Sequence, residues 1–164
     1  MFNRIWRAFT NKTDLYPELK AGVPAWEAWA IVLVAFAIGA VVSVVTVSLL
    51  EGVLQFFLSL VGYLFMAFWA WLIGAVIGKG NGSFGDVQKA IAYPYAVPAI
   101  LTAFPNRWVG LIVGLWLLVI LSTAIRETLG IGKGLTFFIV ISSIVVVFGL
   151  LVVVSPIIAV ALAM

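Results

Sequence analysis

Long apolar runs separated by short polar breaks dominate this chain. Residues of about 26–50, 53–77, 87–104, 108–125 and 135–163 are almost wholly apolar, and each is long enough, or nearly so, for a helix crossing a bilayer. The breaks hold the turn formers and nearly half of the charged residues: Glu51-Gly52, Gly78 to Asp86, Pro105-Asn106-Arg107, and Arg126 to Gly134. The pattern predicts an all-α, polytopic integral membrane protein. Residues 26–164 are expected to form a five-helix transmembrane bundle, and residues 1–25 a cytoplasmic or interfacial N-terminal segment. The valine-rich stretch 41–47 would suit a strand in water. In lipid every backbone group must be satisfied within its own segment, so helix is expected there too.

Inside the N-terminal segment, Phe2, Ile5, Trp6 and Phe9 recur at helical spacing, with Asn3, Arg4 and Arg7 on the other side. That predicts a short helix lying in the membrane interface. Pro17 and Pro24 are expected to break the polar stretch between that helix and the first span. Trp26 and Trp29 sit at the start of the first span, where interfacial aromatics belong. The final apolar run exceeds what a bilayer needs, which predicts a tilted helix with a kink or an exit near Pro156.

The third run is the unusual one. A loop containing Gly78, Gly80, Gly82 and Gly85, where positive φ is cheap, feeds an apolar segment interrupted by Pro94 and Pro98. Each proline removes a backbone donor, freeing the carbonyls of Ala90 and Pro94. Hydrocarbon cannot satisfy those groups, so the segment should lie inside the bundle. Tyr93 and Tyr95 carry hydroxyls able to serve them. About 200° separates the two around a helix, so they should point to different neighbours. A broken helix of this kind can also line a cavity or a partner groove. Gln88 and Lys89 sit at its mouth with Asp86, and Arg126 and Glu127 close the fourth span on the same side. Small residues recur every four positions at Ala35, Gly39 and Ser43, at Ala70, Gly74 and Gly78, and at Gly110 and Gly114. Such ridges predict close helix packing, within the chain or in a homo-oligomer.

Composition sharpens the class. The chain of 164 residues is 65% hydrophobic and 9% charged, against about half and about a quarter in soluble domains. A soluble fold this small could not hide so much apolar surface. No Cys and no His are present, which removes thiol chemistry, disulfides and the commonest general base and metal ligand. The polar start and the long first apolar run predict no cleavable signal peptide. With five spans, Arg4, Arg7, Lys12, Lys20, Lys79, Lys89, Arg126 and Lys133 fall on one side and only Arg107 on the other. That asymmetry predicts a cytoplasmic N-terminus and an external C-terminus.

No catalytic constellation is visible. Asp14, Glu18, Glu27, Glu51, Asp86 and Glu127 all lie at or near span ends, and none forms an acid/base pair or a metal cluster with sequence neighbours. The glycine loop lacks the P-loop spacing and comes after a membrane helix rather than a strand. No cofactor, metal or nucleic-acid partner is expected, and no mid-membrane ionisable residue marks a carrier.

The run Gly78-Lys79-Gly80-Asn81-Gly82-Ser83-Phe84-Gly85-Asp86-Val87-Gln88, continuing through Tyr93, Tyr95 and Pro98, resembles the central signature of the Yip1 domain family. Arg126-Glu127 followed by Gly130, Gly132 and Lys133 resembles that family's loop before its last helix. The similarity covers roughly residues 25 to 155. Asp14-Leu15-Tyr16-Pro17 is similar to the Asp-Leu-Tyr-Gly-Pro of eukaryotic members but lacks the Gly. The resemblance implies five spans and no catalytic residue. It also implies a compact prokaryotic-type member, without the long soluble N-terminal region of relatives linked to vesicle traffic and prenylated GTPases. The function expected is a non-enzymatic membrane scaffold or adaptor that binds membrane lipids and another membrane protein or a second copy of itself. The alternative is a small-solute or ion transporter using the third span.

Overall fold

The computed structural model describes residues 1–101 and 107–163, with side chains described outside 97–101, 107, 110, 148, 150–151 and 153–163. Among the described residues seven α-helices succeed one another: α1 (Phe2–Phe9), α2 (Leu15–Gly22), α3 (Ala25–Thr46), α4 (Leu49–Trp71), α5 (Phe84–Leu101), α6 (Arg107–Leu129) and α7 (Lys133–Ala163). A π-helical segment, Leu72–Ile77, extends α4. No strand occurs among the described residues. Among the described residues, three stretches are long and apolar enough to cross a membrane: Ala25–Thr46, Leu49–Ile77 and Leu111–Leu129.

Local chemistry moves several predicted boundaries. Pro17 does not break the N-terminal segment. It stands in the first turn of α2, behind Asp14 as N-cap, where a missing N–H costs nothing because that donor has no intrahelical partner. The first turn of the bundle lies at Val47-Ser48 rather than at Glu51-Gly52. Ser48 caps α4 by accepting from the Glu51 N–H at 3.1 Å, a Ser-x-x-Glu start signal. Gly52 is therefore helical. A Cβ there would stand 2.7 Å from the Ala40 carbonyl oxygen and would strike Val44, so Gly52 lets α3 and α4 approach closely. The third helix is not broken either: α5 runs unbroken from Phe84 through Pro94 and Pro98. The helix α7 likewise continues through Pro156.

The core is arranged around α5. Residues 90–94 are all buried in succession, as expected for a helix enclosed on every side. Its Val87, Ile91 and Ala92 join Ala28, Val32, Met66, Ala67, Leu121, Ile125 and Ile139 from α3, α4, α6 and α7. Its Ala90, Tyr93 and Ala96 join a second cluster with Ala8, Leu15, Tyr16, Leu19, Ile31 and Ala124. Thus α1 and α2 are part of the packed body. The outer faces of the long helices carry Val34, Val41, Phe57, Val61 and Leu115, all exposed, as lipid-facing positions would be.

Candidate functional site

Charge pairs at helical spacing build the most polar place in the molecule. Arg4 and Arg7 lie one turn apart on α1, Asp14 and Glu18 one turn apart across the start of α2, and Glu27 in the first turn of α3. The Arg4 Nε donates to Glu18 Oε1 at 2.7 Å, and its Nη1 donates to both Glu27 oxygens at 3.0 and 2.9 Å. Arg7 donates to Glu18 Oε2 at 2.5 Å and to Asp14 Oδ2 at 3.0 Å. From α5, the Tyr93 hydroxyl donates to Glu27 Oε1 at 2.8 Å. Glu27 is only 7% exposed. A carboxylate so buried costs several kcal/mol unless it is paired and hydrogen-bonded, and Arg4 and Tyr93 supply those partners. Hydrogen bonds from Arg4 and then Arg7 hold the Glu18 carboxyl below its ordinary value. The Glu18 carboxylate in turn raises both guanidinium groups.

This network sets the pose of α1. Its arginines face inward, and Phe2 and Trp6 face outward, 83% and 62% exposed. The short helix expected from the sequence is present, and its charged side meets carboxylates of the protein rather than water. At its far end the Trp116 indole N–H of α6 donates to the Phe9 carbonyl at 3.0 Å.

Several of the residues singled out in the third segment have partners within the protein. Asp86 and Ser83 cap α5 reciprocally: Ser83 N–H and Oγ–H donate to Asp86 Oδ2 at 3.1 and 2.7 Å, and Asp86 N–H donates to Ser83 Oγ at 3.2 Å. Lys89 pairs with Asp86 at 3.3 Å. The Gln88 carbonyl accepts from the Tyr63 hydroxyl at 2.8 Å. Tyr93 and Tyr95 do point to different helices, but neither serves a carbonyl freed by proline. Tyr93 goes to Glu27 of α3, and the Tyr95 hydroxyl meets the Met66 sulfur of α4 at 3.2 Å. An acidic acceptor outcompetes a neutral carbonyl, since a charge-assisted bond is about twice as strong. Pro94 is buried, while the surroundings of Pro98 lie outside the described residues. A hollow of about 290 Å³ lined by Phe36, Gln55, Ser59, Tyr63 and Tyr95 stops short of Tyr93 and Ala90, which are fully buried. Arg126 and Glu127 bond to each other at 2.6 Å.

The glycines divide. A Cβ on Gly74 would strike Leu129, and one on Gly80 would lie 2.8 Å from the carbonyl oxygens of Gly74 and Leu129. The loop backbone is bonded to the same helix ends, Gly80 N–H to Gly74 at 2.9 Å and Asn81 N–H to Leu129 at 2.8 Å. Close approach, not positive φ, explains these glycines: in this loop the left-handed residue is Lys79, with φ 55°. At Gly39 and Gly114 a Cβ would meet nothing within 4 Å. Neither closes a contact inside the chain, because α3 and α6 turn those positions outward. Gly110 lies outside the residues with described side chains.

A family model for the Yip1 domain matches residues 6–155. The chain belongs to the Yip1 domain family. The match begins at Trp6, so the Yip1 domain here takes in most of α1 and all of α2 and not the bundle alone, extending the resemblance beyond residues 25 to 155. Arg7, Asp14, Glu18 and Glu27 all fall inside it. Comparisons with curated proteins and with solved structures returned no match. Sequence reasoning placed Glu27 and Glu18 at span ends and missed their partners. The available signal was sign: two arginines precede three acids between positions 4 and 27.

Proposed function

We propose that this Yip1 protein is a non-enzymatic membrane adaptor with five spans, N-terminus cytoplasmic and C-terminus external, that engages another membrane protein through its N-terminal face. One observation carries the reading. The ion-paired clamp holds α1 with its aromatic side outward, while Asp86, Lys89, Tyr93 and Tyr95 of α5 are engaged within the protein. A fixed helix presenting Phe2 and Trp6 suits a partner whose apolar surface lies at the membrane boundary. The carrier alternative has less support, because Tyr93 and Ala90 are sealed from the hollow that reaches Tyr95.

A photo-cross-linking residue in place of Trp6, activated in intact cells, tests the adaptor role. The expected result is a discrete protein adduct that disappears when Arg4→Ala and Arg7→Ala release α1. Cross-links to lipid alone, or an adduct unchanged by release of α1, would overturn the reading.

A further inference from the structure

The helices α6 and α7 diverge around an open groove of about 400 Å³ that the adaptor role does not use. Its lining from α6 is Leu118, Val119, Ser122, Thr123 and Arg126. These positions recur at intervals of one and four residues, which is one face of a helix over about 12 Å. From α7 come Lys133, Thr136, Phe137, Val140 and Ile141 at the matching spacing. The two faces are graded alike. Cations stand at one end, hydroxyls one turn further in, and aliphatic side chains beyond.

We propose that this groove seats one anionic phospholipid, with its phosphate between Arg126 and Lys133 and the first part of an acyl chain against Leu118, Val140 and Ile141. Charge complementarity argues for the headgroup. Arg126 spends its Nε and Nη2 on Glu127, which leaves Nη1 for a phosphate oxygen, and Lys133 has no carboxylate partner among the described residues. Lys133 also opens α7, so the free N–H groups and positive dipole end of that helix face the same place. The hydroxyl tier matches the glycerol ester level. Thr123 and Thr136 donate to backbone carbonyls of their own helices, Val119 and Gly132, each at 3.0 Å, so their oxygens keep lone pairs only. Ser122 can donate to an ester carbonyl. The lower walls are open sideways, with Val119, Phe137 and Ile141 exposed, so a lipid enters from the bilayer without any opening of the protein. Basic pockets between membrane helices on the cytoplasmic side commonly take anionic headgroups.

The proposal rests on the part of the adaptor reading that places α6 and α7 in the bilayer with this end cytoplasmic, but not on the partner. The test is native mass spectrometry of the delipidated protein in mild detergent, given phosphatidylglycerol or phosphatidylcholine at equal concentration. The phosphatidylglycerol adduct should be retained about tenfold more. Arg126→Gln with Lys133→Gln should bring it down to the phosphatidylcholine level, and Lys133→Gln alone, at an exposed position that cannot unfold the chain, should lower it severalfold. Lys12→Gln, an equal loss of charge at an exposed position of the N-terminal segment, should change nothing. Equal retention of both lipids, full retention by the double variant, or displacement by millimolar inorganic phosphate would each overturn the lipid assignment. The Trp6 adduct reports separately, so loss of one result does not decide the other.

Discussion

Tyr93 is the side chain through which the central helix holds the N-terminal face. Replacing it with Phe keeps the ring and removes one bond to a buried carboxylate. Bonds to charged groups contribute about 1.5–3 kcal/mol, so Tyr93→Phe should lower the thermal midpoint in detergent. Phe at this position melting with the parent would show Arg4 alone to be enough for Glu27. Glu18 makes the clamp sensitive to acid. Its carboxyl is held below the ordinary 4.5, so its contribution is complete above that value and is lost as pH falls through the folded-state value. Spin labels at the exposed positions Asn3 and Asn81 should keep a narrow distance distribution at neutral pH and broaden in acid below about 4.5. None of this was legible from hydropathy. A periodic pattern shows which face of a helix is apolar, but the carboxylates that meet Arg4 lie 14 and 23 residues away.

At the scale of elements, long apolar runs revealed the helices well and their ends poorly. Ends are decided by single capping side chains, and Ser48 and Ser83 each overrode the turn residues nearby. Ser48→Ala should cost about 1 kcal/mol, seen as faster hydrogen exchange at Glu51 and Gly52. The glycine ridges gave a mixed result for a physical reason: recurrence every four residues defines a stripe but not what it faces. Gly74→Leu should destabilise the protein by about 1–3 kcal/mol because Leu129 already occupies the space. Gly114→Leu should change the monomer's melting by under about 0.5 kcal/mol. Equal melting of the two variants would contradict the close packing of Gly74 against Leu129.

For the whole molecule, the class and the buried central helix were legible, because composition alone forces apolar surface into lipid. The docked N-terminal face was not, since its contacts join segments that carry no shared periodicity. The topology is open to direct measurement. Single cysteines at Thr13, Asn81 and Gly132, all exposed, should react with a membrane-impermeant thiol reagent only after the cytoplasmic side is opened. Labelling of Asn81→Cys from outside would reverse the orientation.

The π-helical turns at Leu72–Ile77 add a consequence for how the chain tolerates changes of length. A π segment holds one residue more than the α-helix it replaces. Here that surplus delivers Gly78 N–H to the Ile73 carbonyl at 2.7 Å and Gly80 N–H to that of Gly74. Removing one residue between Trp71 and Gly78 would let those turns close as ordinary α-helix while the chain beyond keeps its register. The same deletion in the regular helix of Leu49–Trp71 would turn everything after it by about 100°, taking Gly80 out of the narrow backbone slot beside Leu129. Single deletions should therefore be tolerated better at Leu72–Ile77 than earlier in α4, and a scan of single-residue deletions reading membrane-inserted protein would map that difference directly.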